Sequence, residues 1–273
     1  MIVLRYSKEF YKFINHLRIN KVLIKTLIVN DFKKQYLGSY FGLFWAFAQP
    51  IAYIVVIWFV FTFGFRTVSA SNGVPFFIWL ISGMIPWFFI SNAFMSATNA
   101  IVANSFLVKK VAFRVSILPL VQIGSALLIH FVLLFALMLA LILYGYYPNF
   151  YWLQIFYYLF CTVFILLGLS WITSSIRVFI KDIGNFIALL VQIGFWVTPI
   201  FWNIDTVPQK YQYLVTLNPA AYIVTGYRDT FLNHVWFWEK PCETIYFLGL
   251  SSIFFIVGAV IFRRLRPHFG DVL

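Results

Sequence analysis

Six stretches of this 273-residue chain, at 41–65, 76–97, 116–143, 152–176, 186–202 and 244–262, contain no Asp, Glu, Lys or Arg. A helix needs about 20 mostly apolar residues to cross the hydrocarbon of a bilayer. In lipid every backbone polar group must be satisfied internally, which leaves helices as the natural spanning element for runs of this length. The chain is 63% hydrophobic and only 10% charged, whereas a soluble domain is roughly a quarter charged. A larger core cannot absorb that difference, because a core still needs a charged, wetted skin. The pattern therefore excludes a soluble enzyme, a secreted disulfide scaffold and a disordered chain. Six spans use up most of the length and leave no room for a folded soluble domain. No signal peptide is evident, since the first apolar run follows a long basic segment.

Lys and Arg fix the orientation. Of the 20, 16 fall before the first run, in the second and fourth connections and in the tail, against 4 in the other connections. Both termini are accordingly expected in the cytoplasm. Cys161 lies in an apolar run and Cys242 in a polar connection, so a disulfide between them is not expected.

Three segments outside the spans carry further patterns. Residues 7–29 place Phe10, Phe13, Ile14 and Leu17 at helical spacing among Lys8, Lys12 and Arg18. This reads as an amphipathic helix in the cytoplasmic interface, where cations reach anionic headgroups; the alternative is a short helix packed on the protein. The connection 102–115, with Asn104, Ser105, Lys109, Lys110 and Arg114, is either a short helix presented to a partner or a solvated loop. The long fifth connection, 203–243, holds two helix starts. One follows Asp205 and Thr206 with Pro208; the other has Asn218 as cap and Pro219 in the first position. Tyr211, Leu214 and Val215 form one apolar stripe, and Tyr222, Tyr227 and Phe231 another. We expect a pair of short helices that dip into the outer leaflet. Pro199, near the end of a short fifth run, fits a chain that turns back before crossing fully.

The chemistry that is missing is also informative. There is no G-x-x-x-x-G-K-[ST] phosphate loop and no cluster with metal-ligand spacing. His130 stands alone in mid-span without an acidic partner, which reads as a hydrogen-bonded packing residue. Ion-coupled transport needs a titratable or oxygen-rich site near the midplane, and no span carries a carboxylate. If this chain moves a substrate, the energy comes from another protein.

Aromatic residues are dense where charges are absent, with 34 Phe, 16 Tyr and 10 Trp. Phe44, Phe47, Trp58, Phe61 and Phe65 recur at helical intervals in the first run. Aromatic faces stack on the C–H faces of sugar rings without fixing one hydroxyl pattern, so an uncharged aromatic path lets a neutral glycan slide. Lipid-facing aromatics and interfacial belts are the other reading.

Five segments in order resemble one known family. NDFKKQYLGSYFGLFWAFAQP (30–50) is similar to the start of the first span in membrane subunits of bacterial polysaccharide-export ABC transporters. NSFLVKKVAFR (104–114), RVFIKDI (177–183), TPIFWNIDTVPQKYQYLVTLNPAAYIVTGYRD (198–229) and RPHFGDVL (266–273) follow. Val115 departs from the pattern, since the family often has a proline soon after the basic pair.

The resemblance implies an all-α membrane protein of six transmembrane helices, with an N-terminal amphipathic interface helix over 1–40 and short re-entrant external helices between spans five and six. The whole chain would be one transmembrane domain, with the bundle at 41–262 and a cytoplasmic tail at 263–273. Two copies would work with two ATP-binding subunits to export O-antigen, capsule or teichoic acid chains on polyprenyl carriers. Mg-ATP would bind the partner and no cofactor this chain. Asn104, Ser105, Lys109, Lys110 and Arg114 would form a coupling helix, and Arg177, Lys181 and Asp182 a second contact with the ATPase. Phe44, Phe47, Trp58, Phe61, Phe195 and Trp196 would line the path. Pro199, Tyr211, Asn218, Pro219, Tyr222, Tyr227 and Arg228 would belong to the external gate. Arg5, Lys8, Lys33 and Lys34 would attract the lipid pyrophosphate.

Three other functions fit parts of the pattern. The same architecture could export a small hydrophobic drug or antibiotic. A polyprenyl-donor transferase would have to use the external carboxylates Asp205, Asp229, Glu239 and Glu243. A structural scaffold would lack an ATPase partner.

Overall fold

The computed structural model describes residues 20–36, 41–66, 73–109 and 114–273. The amphipathic stretch from Phe10 to Leu17, with Arg5, Lys8, Lys12 and Arg18, lies outside the described residues, as does Lys110. What is described is helical: α1 (Lys21–Tyr36), α2 (Phe44–Phe59), α3 (Phe76–Ala103), α4 (Leu118–Leu143), α5 (Ile155–Phe179), α6 (Ile183–Val197), α7 (Gln209–Thr216), α8 (Pro219–Arg228), α9 (Pro241–Leu265) and α10 (Phe269–Val272). A wider π turn, Val60–Gly64, prolongs α2.

Among the described residues, five helices are long and apolar enough to cross a membrane: α2 with its π turn, α3, α4, α5 and α9 with the tail. The sixth apolar run forms α6, which has only 15 residues. That is roughly 22 Å of helix, short of the ~30 Å hydrocarbon thickness. The fifth expected span, 186–202, is thus displaced: the helix starts three residues earlier and stops at Thr198. The cause is Pro199, whose ring disfavours helical backbone in the residue before it; Thr198 is extended, at φ −76° and ψ 137°.

The centre of the bundle is α3 against α4 and α5. Burial within the chain falls from 72% of the α3 span and 61% of α5 to 22% of α9 and 6% of α2, so α2 is outermost. Outward surfaces are apolar, with Val55, Val56 and Phe59 on α2, Val132 and Phe135 on α4, and Ile253 and Ile256 on α9 all exposed. In water such a surface would aggregate; against lipid it is the expected skin. Some hydroxyls inside the bundle pair across helices or with the preceding turn, while those of Ser125, Ser170, Ser174 and Ser251 are buried without a partner among the described residues. The Thr98 and Thr173 hydroxyls meet at 2.8 Å between α3 and α5, which explains why α3 runs six residues past the expected end of its apolar stretch.

Of the two readings for the N-terminal basic segment, the described part packs on the protein. Ile28 of α1 lies against Gly124 of α4, and Gln122 donates to Asp31 at 2.6 Å. Gln35 donates to the other Asp31 oxygen at 2.9 Å. Val22 and Leu23 remain exposed on the opposite side. Cys161 is buried, Cys242 is exposed, and both are free thiols.

Candidate functional site

Three places hold the residues singled out in the sequence. The first is a cavity of about 760 Å³ bounded by α2, α3, α4 and α6, within the ~300–1,000 Å³ usual for ligand sites. Phe195 and Trp196 are among its lining residues. Phe47, Trp58 and Phe61 instead pack against the core. Trp58 stands edge-on to Phe77 at 6.0 Å, and Phe61 stacks on Phe76 at 5.4 Å. Phe44 is exposed beside Trp45. The α2 residues that reach the cavity include Ala46 and Pro50 and, with larger side chains, Trp45, Gln49 and Tyr53. Their spacing of four puts them on one stripe, a signal the sequence offered but the aromatic stripe of Phe47, Trp58 and Phe61 outcompeted. Trp87, Asn92 and Gln192 were also missed.

His130 forms part of the cavity wall and is 1% exposed. Its Nε2 meets the Tyr227 hydroxyl at 2.9 Å, and Phe89 stacks on its ring at 4.7 Å. It is a hydrogen-bonded packing residue, and it connects the cavity to α8.

The second place is the end of the bundle where α6 breaks. The chain from 198 to 202 is irregular, so its carbonyls lack helical partners. Arg228, buried at the C-terminus of α8, supplies them: Nη1 donates to the Pro199 carbonyl and Nη2 to that of Ile200, each at 2.6 Å. Its guanidinium lies 3.5 Å from the Trp79 ring centroid and over Gly83, where a Cβ would stand 2.6 Å from Nη2. Guanidinium geometry suits this, because a planar fork can reach two acceptors at once. Next to it, Asp229 pairs with Lys240 at 2.5 Å and accepts from Asn233 at 2.9 Å.

Both helix starts in the long connection are present. The Asn218 side chain accepts from the Ala220 N–H at 3.0 Å, with Pro219 at the first position of α8. Asn218 Nδ2 also donates to the Thr198 hydroxyl at 2.9 Å, tying the cap to the break in α6. Pro208 sits just before α7 instead of inside it. Tyr222 joins a hydroxyl chain with Tyr157 and Thr244, at 3.0 Å on each side. Pro199, Asn218, Pro219, Tyr222, Tyr227 and Arg228 are therefore brought together, while Tyr211 on α7 is exposed. Asp205 is held by Asn203, Asp229 by Lys240, and Glu239 by the Trp236 N–H. Among the described residues no group of three His, Cys, Asp or Glu is arranged to hold a metal.

The third place is the opposite end. After α3, Asn104 leaves helical geometry and a short turn, Ser105–Val108, follows. Leu107 and Val108 pack on a cluster that includes Ile101, Leu118, Val178 and Phe269, while Phe106 points outwards. The guanidinium of Arg177 lies against Gly184 at the start of α6, and Lys181 and Asp182 are exposed in the turn between α5 and α6. Phe179 and Phe269 are in ring contact at 6.1 Å, which brings the tail to this end. Lys33 and Lys34, exposed in the last turn of α1, lie on the same side. Asp31, which docks that helix, carried no signal of its own.

Residues 22–232 match the family described as ABC-2 type transporter. The chain is 30% identical to the "O-antigen export system permease protein RfbA" of Klebsiella pneumoniae over 253 residues, 92% of this chain and 95% of that protein. It is 26% identical to a protein of the same description from Myxococcus xanthus, over 98% of this chain and 99% of that one. Proteins of this kind are transport permeases whose ATP hydrolysis resides on a separate partner. An apolar outer surface over five helices of spanning length, an aromatic cavity between them and a match over most of the length lead to one conclusion: the chain belongs to the ABC-2 type transporter family, as a multi-pass membrane permease subunit.

Proposed function

We propose that two copies of this chain form the conduit of an exporter that carries a lipid-linked polysaccharide, of the O-antigen, capsule or teichoic acid class, out of the cytoplasm. Two ATP-binding subunits, with Mg-ATP, drive it. The observation that carries this reading is the likeness to O-antigen export permeases of two bacteria over nearly the whole chain.

The membrane in question is the bacterial inner or plasma membrane, and both termini are cytoplasmic, a reading that the 16-to-4 distribution of Lys and Arg supports. The chain crosses six times as one domain. In the fifth crossing α6 covers the inner part and residues 198–202 the rest, while α7 and α8 dip into the outer leaflet as a gate formed by Pro199, Tyr211, Asn218, Pro219, Tyr222, Tyr227 and Arg228. Irregular backbone at that depth is tolerable only where protein satisfies it, which is the role of Arg228. The N-terminal segment belongs to the cytoplasmic side, where α1 docks on α4 through Ile28 and Asp31. Asn104, Ser105, Lys109, Lys110 and Arg114, with Arg177, Lys181 and Asp182, dock on the ATPase. The path runs past Phe195 and Trp196, with Phe44, Phe47, Trp58 and Phe61 on the helix that faces the second copy. The low burial of α2 within one chain supports a partner there. Nucleotide must favour one arrangement of the paired halves for this coupling to work.

Depletion in the native host tests the proposal. The expected result is an undecorated outer surface with lipid-linked glycan accumulating inside. Export by the purified chain in liposomes without any ATPase would overturn it. A narrower outcome concerns Arg5, Lys8, Lys33 and Lys34, which we assign to attraction of the lipid pyrophosphate. Reversing Lys33 and Lys34 to Glu is expected to lower export while the complex still assembles, because exposed charges steer ligands more than they hold structure. Unchanged surface glycan in that double variant removes the role.

A further inference from the structure

Gln49 of α2, Asn92 of α3 and Gln192 of α6 line the same open cavity between apolar helices, Asn92 half-buried and the two glutamines exposed. Three different helices each contribute one carboxamide to a space otherwise walled by Trp45, Trp87 and Trp196. A polar group in hydrocarbon is costly unless it has a partner or faces a polar cavity, so such residues ask for an account.

Local structure does not supply one. Two other polar wall groups find protein partners: the Ser91 hydroxyl donates to the Phe88 carbonyl at 3.2 Å and His130 meets Tyr227 through Nε2, although its Nδ1 has none among the described residues. Asn92 accepts from Ser96 at 3.3 Å through Oδ1, which leaves its amide nitrogen unused. The side chains of Gln49 and Gln192 make no hydrogen bond among the described residues.

We propose that Gln49, Asn92 and Gln192 form a binding site for the hydroxyl groups of a neutral saccharide segment, with the indole faces beside them taking the C–H faces of its rings. This rests on the polysaccharide reading above and names residues that would give it selectivity. The chemistry decides the ligand class. A primary amide offers two donors and a carbonyl acceptor, so it answers a hydroxyl in either role and with either rotation. A small hydrophobic compound gains nothing from three amides and leaves them unpaired. An anion would call for a cationic group, and the cavity wall has none; a cation would engage the indole faces but leave the amide donors unpaired. Without a charge the amides exchange one hydroxyl for the next, and binding stays weak enough for a chain to pass.

The test uses the permease copurified with its ATPase partner in nanodiscs, with maltoheptaose as probe and tryptophan emission as readout. Wild type is expected to give a saturable change. Gln49→Leu, Asn92→Leu and Gln192→Leu are each expected to weaken it by roughly three- to tenfold, the worth of one uncharged hydrogen bond. Gln49→Asn and Gln192→Asn keep the amide and should recover most of the affinity. Tetraphenylphosphonium, a lipophilic cation, should respond equally in all variants. Leu variants that bind maltoheptaose like wild type, or a wild type that does not bind it, overturn the proposal. So does dissociation of the Leu variants on size exclusion, since the amides would then be holding helices together. Complementation in a depleted host separates the two levels of argument. If wild type restores surface glycan and all three Leu variants restore it equally, the site falls and the export function stands. If wild type restores none, the export reading falls.

Discussion

Arg228→Leu is expected to destabilise the folded permease by about 3–5 kcal/mol, the range seen when one partner of a buried charged interaction is removed. Two carbonyls, of Pro199 and Ile200, lose their donors together. Each orphaned acceptor costs about 1–3 kcal/mol where water cannot reach. The contact with Trp79 at 3.5 Å is lost as well, and leucine returns only part of it as packing. Arg228→Lys should lie between, because an ammonium is a point donor that cannot span both carbonyls and does not stack as a guanidinium does. Gly83→Val should approach the leucine variant without touching Arg228 itself, since its side chain would occupy the place of Nη2. Thermal unfolding of the purified complex and the amount of chain in the membrane measure the effect. Arg66→Leu, at an exposed position, serves as the neutral comparison. If Arg228→Leu melts with the wild type, the break after α6 is held by something other than this side chain.

The spans were readable because lipid imposes a simple rule. A run without charge, long enough to cross, has few alternatives to a helix, and the runs led directly to α2, α3, α4, α5 and α9. The start of α8 was readable from capping chemistry, and Asn218 accepts from Ala220 as its position before Pro219 suggested, whereas α7 begins after Pro208 without a side-chain cap. What the sequence concealed is azimuth. Helical periodicity groups residues into stripes but does not say which stripe meets which neighbour. Phe47, Trp58 and Phe61 share a stripe that faces the core, and Trp45, Gln49 and Tyr53 share the one that meets the cavity. Helix ends were misplaced for a related reason. Thr98 looks like the end of an apolar run until Thr173 is known to lie opposite. Asp31 looks like one more charge in a basic segment until Gln122 is found within 2.6 Å. Both depend on contacts across the bundle, and those are absent from any local pattern.

Gly258→Val is expected to detach α9 from α5. At this crossing the two backbones touch: a Cβ on Gly258 would run into the carbonyl of Gly168, and one on Gly168 would stand 2.7 Å from the Phe255 amide nitrogen. Backbone cannot rotate away as a side chain can, so the helices must separate. In a membrane, close packing supplies much of the attraction between helices, and small residues permit it. Overpacking of this kind costs about 1–3 kcal/mol, and more where backbone is the obstacle. The loss spreads because α9 is held mainly by α5. Thr244 and Phe247, near its start, support Tyr222 through a 3.0 Å contact between hydroxyls and a ring stack at 4.6 Å. A displaced α9 therefore frees the α8 side of the proposed gate as well as itself. Gly249→Val, on the same helix with nothing within 4 Å of the added carbon, should melt within a degree or two of wild type. A fall in melting temperature for Gly258→Val alone ties the effect to the crossing. Equal falls in both variants would instead remove the crossing as the cause, because the added side chain at Gly249 meets nothing within 4 Å and valine is a better helix former than glycine.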